Sequence, residues 1–163
     1  MITSADGQAR GILMINLGPG EDLLKGIIEA CTKHNVKNGY MMGAVGTLEC
    51  VNVFSAAPIG TENGKIKYGY PAEPLHFGGL LGAQCLNNMK GVVCHETDGK
   101  VSPHLHFNFS DADGYAYGGH LPVGTIVLHE VTVMIVIIDK VDMIRKWDES
   151  VNIFVFAPTQ LEE

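Results

Sequence analysis

Arginine is almost missing from this chain: Arg10 and Arg145 are the only two among its 11 basic residues, against 18 acidic ones, and the formal net charge is -7. Such a balance repels phosphate at long range, so DNA is not expected as a partner of the isolated chain unless a local basic face overrides the net charge. Cysteine is sparse and unpaired in spacing. Cys31, Cys50, Cys85 and Cys94 form no CxxC, and the first residues have no basic stretch followed by an apolar one, so a cytoplasmic protein with reduced thiols is expected. None of the four has an obvious activating neighbour, which argues against a cysteine nucleophile. Long apolar runs are also lacking. The most apolar segment, 131–138, lies between Glu130 and Asp139 and is far short of the roughly 20 residues that cross a membrane; it reads as a buried strand. No internal repeat, Gly-X-Y period or linker interrupts the chain.

What remains is a 163-residue chain of 17.6 kDa, 46% hydrophobic and with 20 glycines, about one ordinary domain. Residues 1–8 read as a flexible leader, 9–157 as the domain and 158–163 as a tail. A strand is expected over 9–17, stopped by Gly18-Pro19-Gly20. Glu21 and Asp22 then place negative charge on the first turn of a helix whose apolar side carries Leu23, Leu24, Ile27, Ile28 and Cys31 until Asn35 and Gly39 end it. That Gly-Pro-Gly is no phosphate loop: the first turn is acidic and the Walker lysine is missing. Residues 40–56 form a strand bent at Gly43 and Gly46, 57–64 a loop, and further strands are expected over 65–70, 75–86, 101–110, 115–120, 126–139 and 153–156. The stretch 143–152 has no clear period and reads as a short helix or a strand end. The fold class is therefore α+β: a mostly antiparallel sheet with one clear helix and at most a second short one.

The most informative segment is Pro103-His104-Leu105-His106-Phe107-Asn108-Phe109-Ser110. It alternates with period 2, so Leu105, Phe107 and Phe109 face a core while His104 and His106 share the other side. A three-residue hairpin loop of Ala112, Asp113 and Gly114, with Asp111 opposite Tyr115, puts His120 directly across from His106 with Cβ atoms about 5 Å apart. Three neutral imidazoles converging on one sheet face suit Zn²⁺ or a similar divalent metal with a fourth position left open; the bland alternative is three hydrogen-bonded histidines in a polar cleft. Glu130 is a candidate for orienting a ligand imidazole, and His76 for joining the site or capping a strand edge. His34, His95 and His129 belong to no constellation, and Cys94-His95 is too isolated for a zinc knuckle. A cupin barrel would place a metal carboxylate within a few residues of His106, where Asn108, Phe109 and Ser110 stand instead.

Taken in order, five pieces resemble the plants-and-prokaryotes-conserved (PPC) domain: Pro19-Gly20-Glu21-Asp22-Leu23; the Gly-rich strand 39–46 followed by Leu48; Glu73-Pro74-Leu75 leading to Leu80 and Gly82; His104-Leu105-His106 with Asp111, Asp113 and Gly114; and Gly118-Gly119-His120-Leu121 followed by Gly124 and Glu130. The resemblance runs from about residue 11 to 148. It implies a compact α+β domain assembled as a homotrimer, and a metal in prokaryotic members that keep the three histidines. The DNA-binding label common in the family implies a regulatory module, but plant relatives owe their DNA contact to AT-hooks, and no Arg-Gly-Arg-Pro core exists here. His76, Ala83 and a longer 87–102 depart from the family pattern around the site. Two functions follow as expectations: a metal-dependent small-molecule enzyme or sensor, or a regulatory, DNA-associated or protein-interaction module whose metal is structural. No cluster of arginines and no aromatic cage points to a substrate, and a basic patch would need a three-fold assembly that gathers Lys65, Lys67 and Lys90 from several subunits.

Overall fold

The computed structural model describes residues 2–78, 82–149 and 153–161. In chain order the elements are β1 (Gln8–Leu17), α1 (Leu23–Lys33), β2 (Gly39–Val53), β3 (Ala57–Glu62), β4 (Lys65–Gly69), β5 (Leu75–Gly78), β6 (Gln84–Val93), β7 (His104–Ser110), β8 (Ala116–His120), β9 (Ile126–Asp139), β10 (Val141–Asp148) and β11 (Ile153–Gln160). The main sheet is antiparallel in the order β1-β9-β2-β6-β7-β8, with β5 added to β2; β3-β4 and β10-β11 are separate two-stranded ribbons. Leu80 and the middle of the strand expected over 75–86 lie outside the described residues; what is described of that stretch is two strands, β5 and the start of β6. No described helix is long and apolar enough to cross a membrane.

Period-2 alternation decides which face is buried. On β1, Leu13, Ile15 and Leu17 pair with Ile135, Val133 and Val131 of β9 and join the core, while Ile12 and Met14, on the alternate positions, stay more than half exposed. The helix closes the core over β1 and β9 through Leu23, Ile27 and Cys31, all fully buried at i, i+4 and i+8. Its start differs from expectation. Asp22 is the N-cap: one carboxylate oxygen accepts from Lys25 N (3.0 Å) and the other from Gly124 N (2.7 Å), so this side chain ties the helix to the turn before β9. Glu21 precedes the helix and accepts from Gly18 N (2.8 Å).

Two expectations are corrected and one open alternative is decided. Within 57–64, expected as a loop, residues 57–62 pair as β3 with β4. The Asn63-Gly64 turn between them, both at positive φ (50° and 74°), is the two-residue hairpin that Asn-Gly encodes. No second helix occurs among the described residues: 141–148 is β10, paired over its whole length with β11, and 150–152 are not described. That last strand also runs further than expected, to Gln160, whose amide accepts from Asp6 N (2.8 Å) and donates to the Asp6 and Lys140 carbonyls.

Candidate metal centre

The hairpin that carries the histidines is built by one aspartate. Asp111 N donates to Tyr115 O (3.1 Å), and the Asp111 carboxylate accepts from Asp113 N, Tyr115 N and the Tyr117 hydroxyl; Gly114 takes the left-handed conformation (φ 84°). This is the expected three-residue loop, and the register it sets places His106 opposite His120. Leu105, Phe107 and Phe109 are buried to 2% exposure or less, so His104 and His106 are driven to the opposite face. On the far side of β8, His120 exchanges both backbone hydrogen bonds with Phe54 (2.8 and 3.0 Å), and its ring rests against Tyr70.

The three imidazoles then meet. Ring centroids are 5.2 Å apart for His104 with each of the other two and 5.6 Å for His106 with His120. One nitrogen from each ring lies within 4.8 Å of the others, and no carboxylate or thiol among the described residues joins the group. His104 Nε2 and His106 Nε2 are 3.3 Å apart. Two ligands at about 2.05 Å on a tetrahedral Zn²⁺ stand roughly 3.3 Å from one another, so this pair is already spaced for one ion. His120 Nδ1 is buried without a hydrogen-bond partner, a costly state for a ring nitrogen that a cation held among the rings would relieve. Neutral nitrogen donors without thiolate or carboxylate fit a borderline divalent metal.

Burial disfavours the charged form of two of these rings, His104 and His120. Desolvation, aided by the Arg145 and His106 charges, lowers the His104 pKa, and desolvation with His104, His106 and Arg145 brings that of His120 down to about 4. The unfolded chain takes up protons near pH 6.5 that the folded site refuses, so stability is whole above 6.5 and falls as pH drops toward 4. For His120 the full linkage is about 3 kcal/mol, which solvent screening of a part-exposed ring reduces to about 1–2 kcal/mol. Urea unfolding of metal-free protein should show a loss of that size between about pH 7.5 and pH 4.5, and His120→Gln should flatten it; an equal loss in the variant contradicts the assignment.

The other sequence candidates lie elsewhere. Glu130 is exposed on β9, three strands away from β7. His76 pairs across from Asn52 and meets its side-chain oxygen at 2.7 Å, outside the cluster. Cys31 and Cys94 are buried, their thiols pushed up to about 12 and about 11, and Cys94 Sγ donates to Ser102 O; neither is a poised nucleophile. His129 meets Thr47 Oγ1. His95 is buried and structural: its ring bridges the Glu96 carbonyl and Asp142 (2.7 Å), and its backbone pairs with Met143 and Arg145. That seat brings in a residue the sequence reading did not place at the site. Arg145 of β10 donates to Ser102 Oγ (3.3 Å), two residues before His104, stacks on Phe154, and is close enough to depress both His104 and His120. Its one sequence signal was rarity.

Comparison with known proteins agrees with the architecture. Searching curated protein sequences gave no match. Among solved structures the chain is similar to a PPC protein from Pyrococcus horikoshii (22% identity over 99% of this chain and 100% of that one, TM-score 0.70). It is similar also to a metal-containing protein from Archaeoglobus fulgidus (19%, 95% and 99%, TM-score 0.71). A third is a protein from Bacteroides thetaiotaomicron described as a "putative DNA binding protein" (13%, 91% and 93%, TM-score 0.74). The model of the Plants and Prokaryotes Conserved (PCC) domain matches residues 4–139, and with the sheet, the helix and the histidine hairpin in place, the chain belongs to the PCC domain family.

Proposed function

We propose that this chain is a metal-holding regulatory module that works as a homotrimer, with His104, His106 and His120 holding one divalent cation per chain, Zn²⁺ before others. The convergence of the three rings carries the metal reading, and the Archaeoglobus relative described as metal-containing supports it. The regulatory reading draws on the Bacteroides relative described as a "putative DNA binding protein". Charge argues for an indirect route to DNA: at -7 the chain is acidic, Lys67 is paired with Glu62, and Lys90 donates to the Met42 carbonyl. In this proposal DNA association runs through a partner protein. A second reading, enzyme or small-molecule sensor, is favoured by one observation: His106 is exposed at the cluster, so the site opens to solvent. A bound Zn²⁺ supplies Lewis acidity and an open coordination position.

Self-association rests on the sheet face opposite α1. There Ile12, Met14, Tyr40, Met42 and Val45 are each 42–60% exposed around an apolar depression of about 260 Å³ lined by Met42, Val45, Thr132 and Met134. An uncovered apolar face of this kind marks an interface. Sedimentation of the protein with a labelled mixed-sequence duplex at about 150 mM salt tests both parts. The expected outcome is a species near three times 17.6 kDa with the duplex sedimenting on its own; a monomer overturns the assembly, and co-sedimenting duplex overturns the indirect route.

A further inference from the structure

We infer that Arg145 makes the three-histidine centre a receptor for a small oxyanion, a carboxylate or phosphate group that lays one oxygen on the bound cation and another on the guanidinium. The inference deepens the metal reading and rests on it. Its ground is a charge imbalance written into the side chains. Three neutral imidazoles around a divalent cation leave its two charges uncompensated, and no carboxylate or thiolate among the described residues belongs to the cluster. Beside it stands a third positive charge. Arg145 has no acidic partner among the described ion pairs, its side chain makes one long hydrogen bond to Ser102 Oγ, and its Nε is buried without a partner.

A guanidinium is normally paired when it is drawn out of water, because an unpaired buried donor costs free energy and its planar fork matches an oxyanion. Here the fork is held in place. The Phe154 ring lies 5.6 Å from the guanidinium carbon, and the β10 backbone is clamped by hydrogen bonds to His95 and by the His95–Asp142 pair. So rigid a mount, with so few partners, suits a group that arrives from solution. Tyr70, packed on His120 and on Phe54, supplies an aromatic wall beside the same cluster. Arg145 comes from the β10-β11 ribbon, beyond the residues 4–139 that the domain model matches, so this anchor is a feature of the chain and not of the matched domain.

Cobalt(II) serves as the probe, because its visible bands report a change of ligand. Metal is first titrated into wild type, Arg145→Gln and Arg145→Lys in a buffer free of oxyanions, and circular dichroism checks each fold. Acetate and inorganic phosphate are then added in separate titrations. We expect all three proteins to take up one cobalt, Arg145→Gln at least as tightly as wild type because a nearby positive charge is gone. Acetate or phosphate should shift the cobalt bands of wild type, with affinity lowered at least about tenfold in Arg145→Gln and partly kept in Arg145→Lys, which retains charge without the fork. The arm with the tighter binding identifies the oxyanion. Cobalt uptake with oxyanion affinities equal in wild type and Arg145→Gln overturns this inference and leaves the metal reading standing. No cobalt uptake by wild type overturns the metal reading itself.

Discussion

Replacing His106 by alanine should weaken metal affinity more than about 100-fold, beyond the 10- to 100-fold that loss of an outer-shell partner costs, while leaving the fold untouched. The two halves of that expectation come from the same strand. His106 is exposed and projects from the face opposite Leu105 and Phe107, so its truncation removes no core contact and costs within about 0.5 kcal/mol of stability. As a ligand it is one of three, and its Nε2 is half of the pair already spaced at 3.3 Å. Competition against a chromophoric chelator measures the change. His129→Ala, which removes an exposed ring remote from the cluster and bonded to Thr47, is the control and should leave affinity unchanged. An affinity for His106→Ala within about threefold of wild type would mean that the ion sits elsewhere.

The second large effect is on the scaffold. Gly91 of β6 lies at φ 140° against β7, where an added Cβ would stand 2.0 Å from His104 O and 3.0 Å from Leu105 Cα. Both backbones are held in the middle of the sheet, so neither can yield without breaking the ladder. Gly91→Ala should therefore cost about 3 kcal/mol or more, from strain at a conformation side chains avoid and from the clash itself, which lowers the melting temperature by roughly 10 °C in a chain of this size. Because the clash falls on the peptide that carries His104, metal affinity should fall with it. Differential scanning calorimetry of metal-free protein checks the first part; a melting temperature within about 2 °C of wild type would show that the close approach of β6 and β7 does not exist in solution.

The meeting of His104, His106 and His120 was legible in the amino-acid sequence because every step is local. A period-2 strand sets the face, an Asp-Ala-Asp-Gly turn sets the loop, and the loop sets the register over fewer than twenty residues. The β3-β4 ribbon is as local, yet only its second strand was expected: Pro58 and Gly60 obscure the alternation of β3, although an edge ribbon tolerates both. Arg145 and Glu130 mark where local reading stops. Whether either reaches β7 depends on strand order and on where β10 docks. That docking is decided by His95 with Met143 and Arg145, contacts about 50 residues apart in the chain. Glu130 sits on β9, which the sheet places three strands from β7, and the ribbon that follows it brings the arginine instead.

The most direct measurement is X-ray absorption at the metal edge on tag-free protein carrying one equivalent of zinc. Zinc held as proposed gives a shell of nitrogen and oxygen scatterers only, near 2.0–2.1 Å, with the multiple-scattering pattern of three imidazoles, and loss of one imidazole in His120→Ala. A sulfur shell near 2.3 Å, or an unchanged spectrum in that variant, would contradict it.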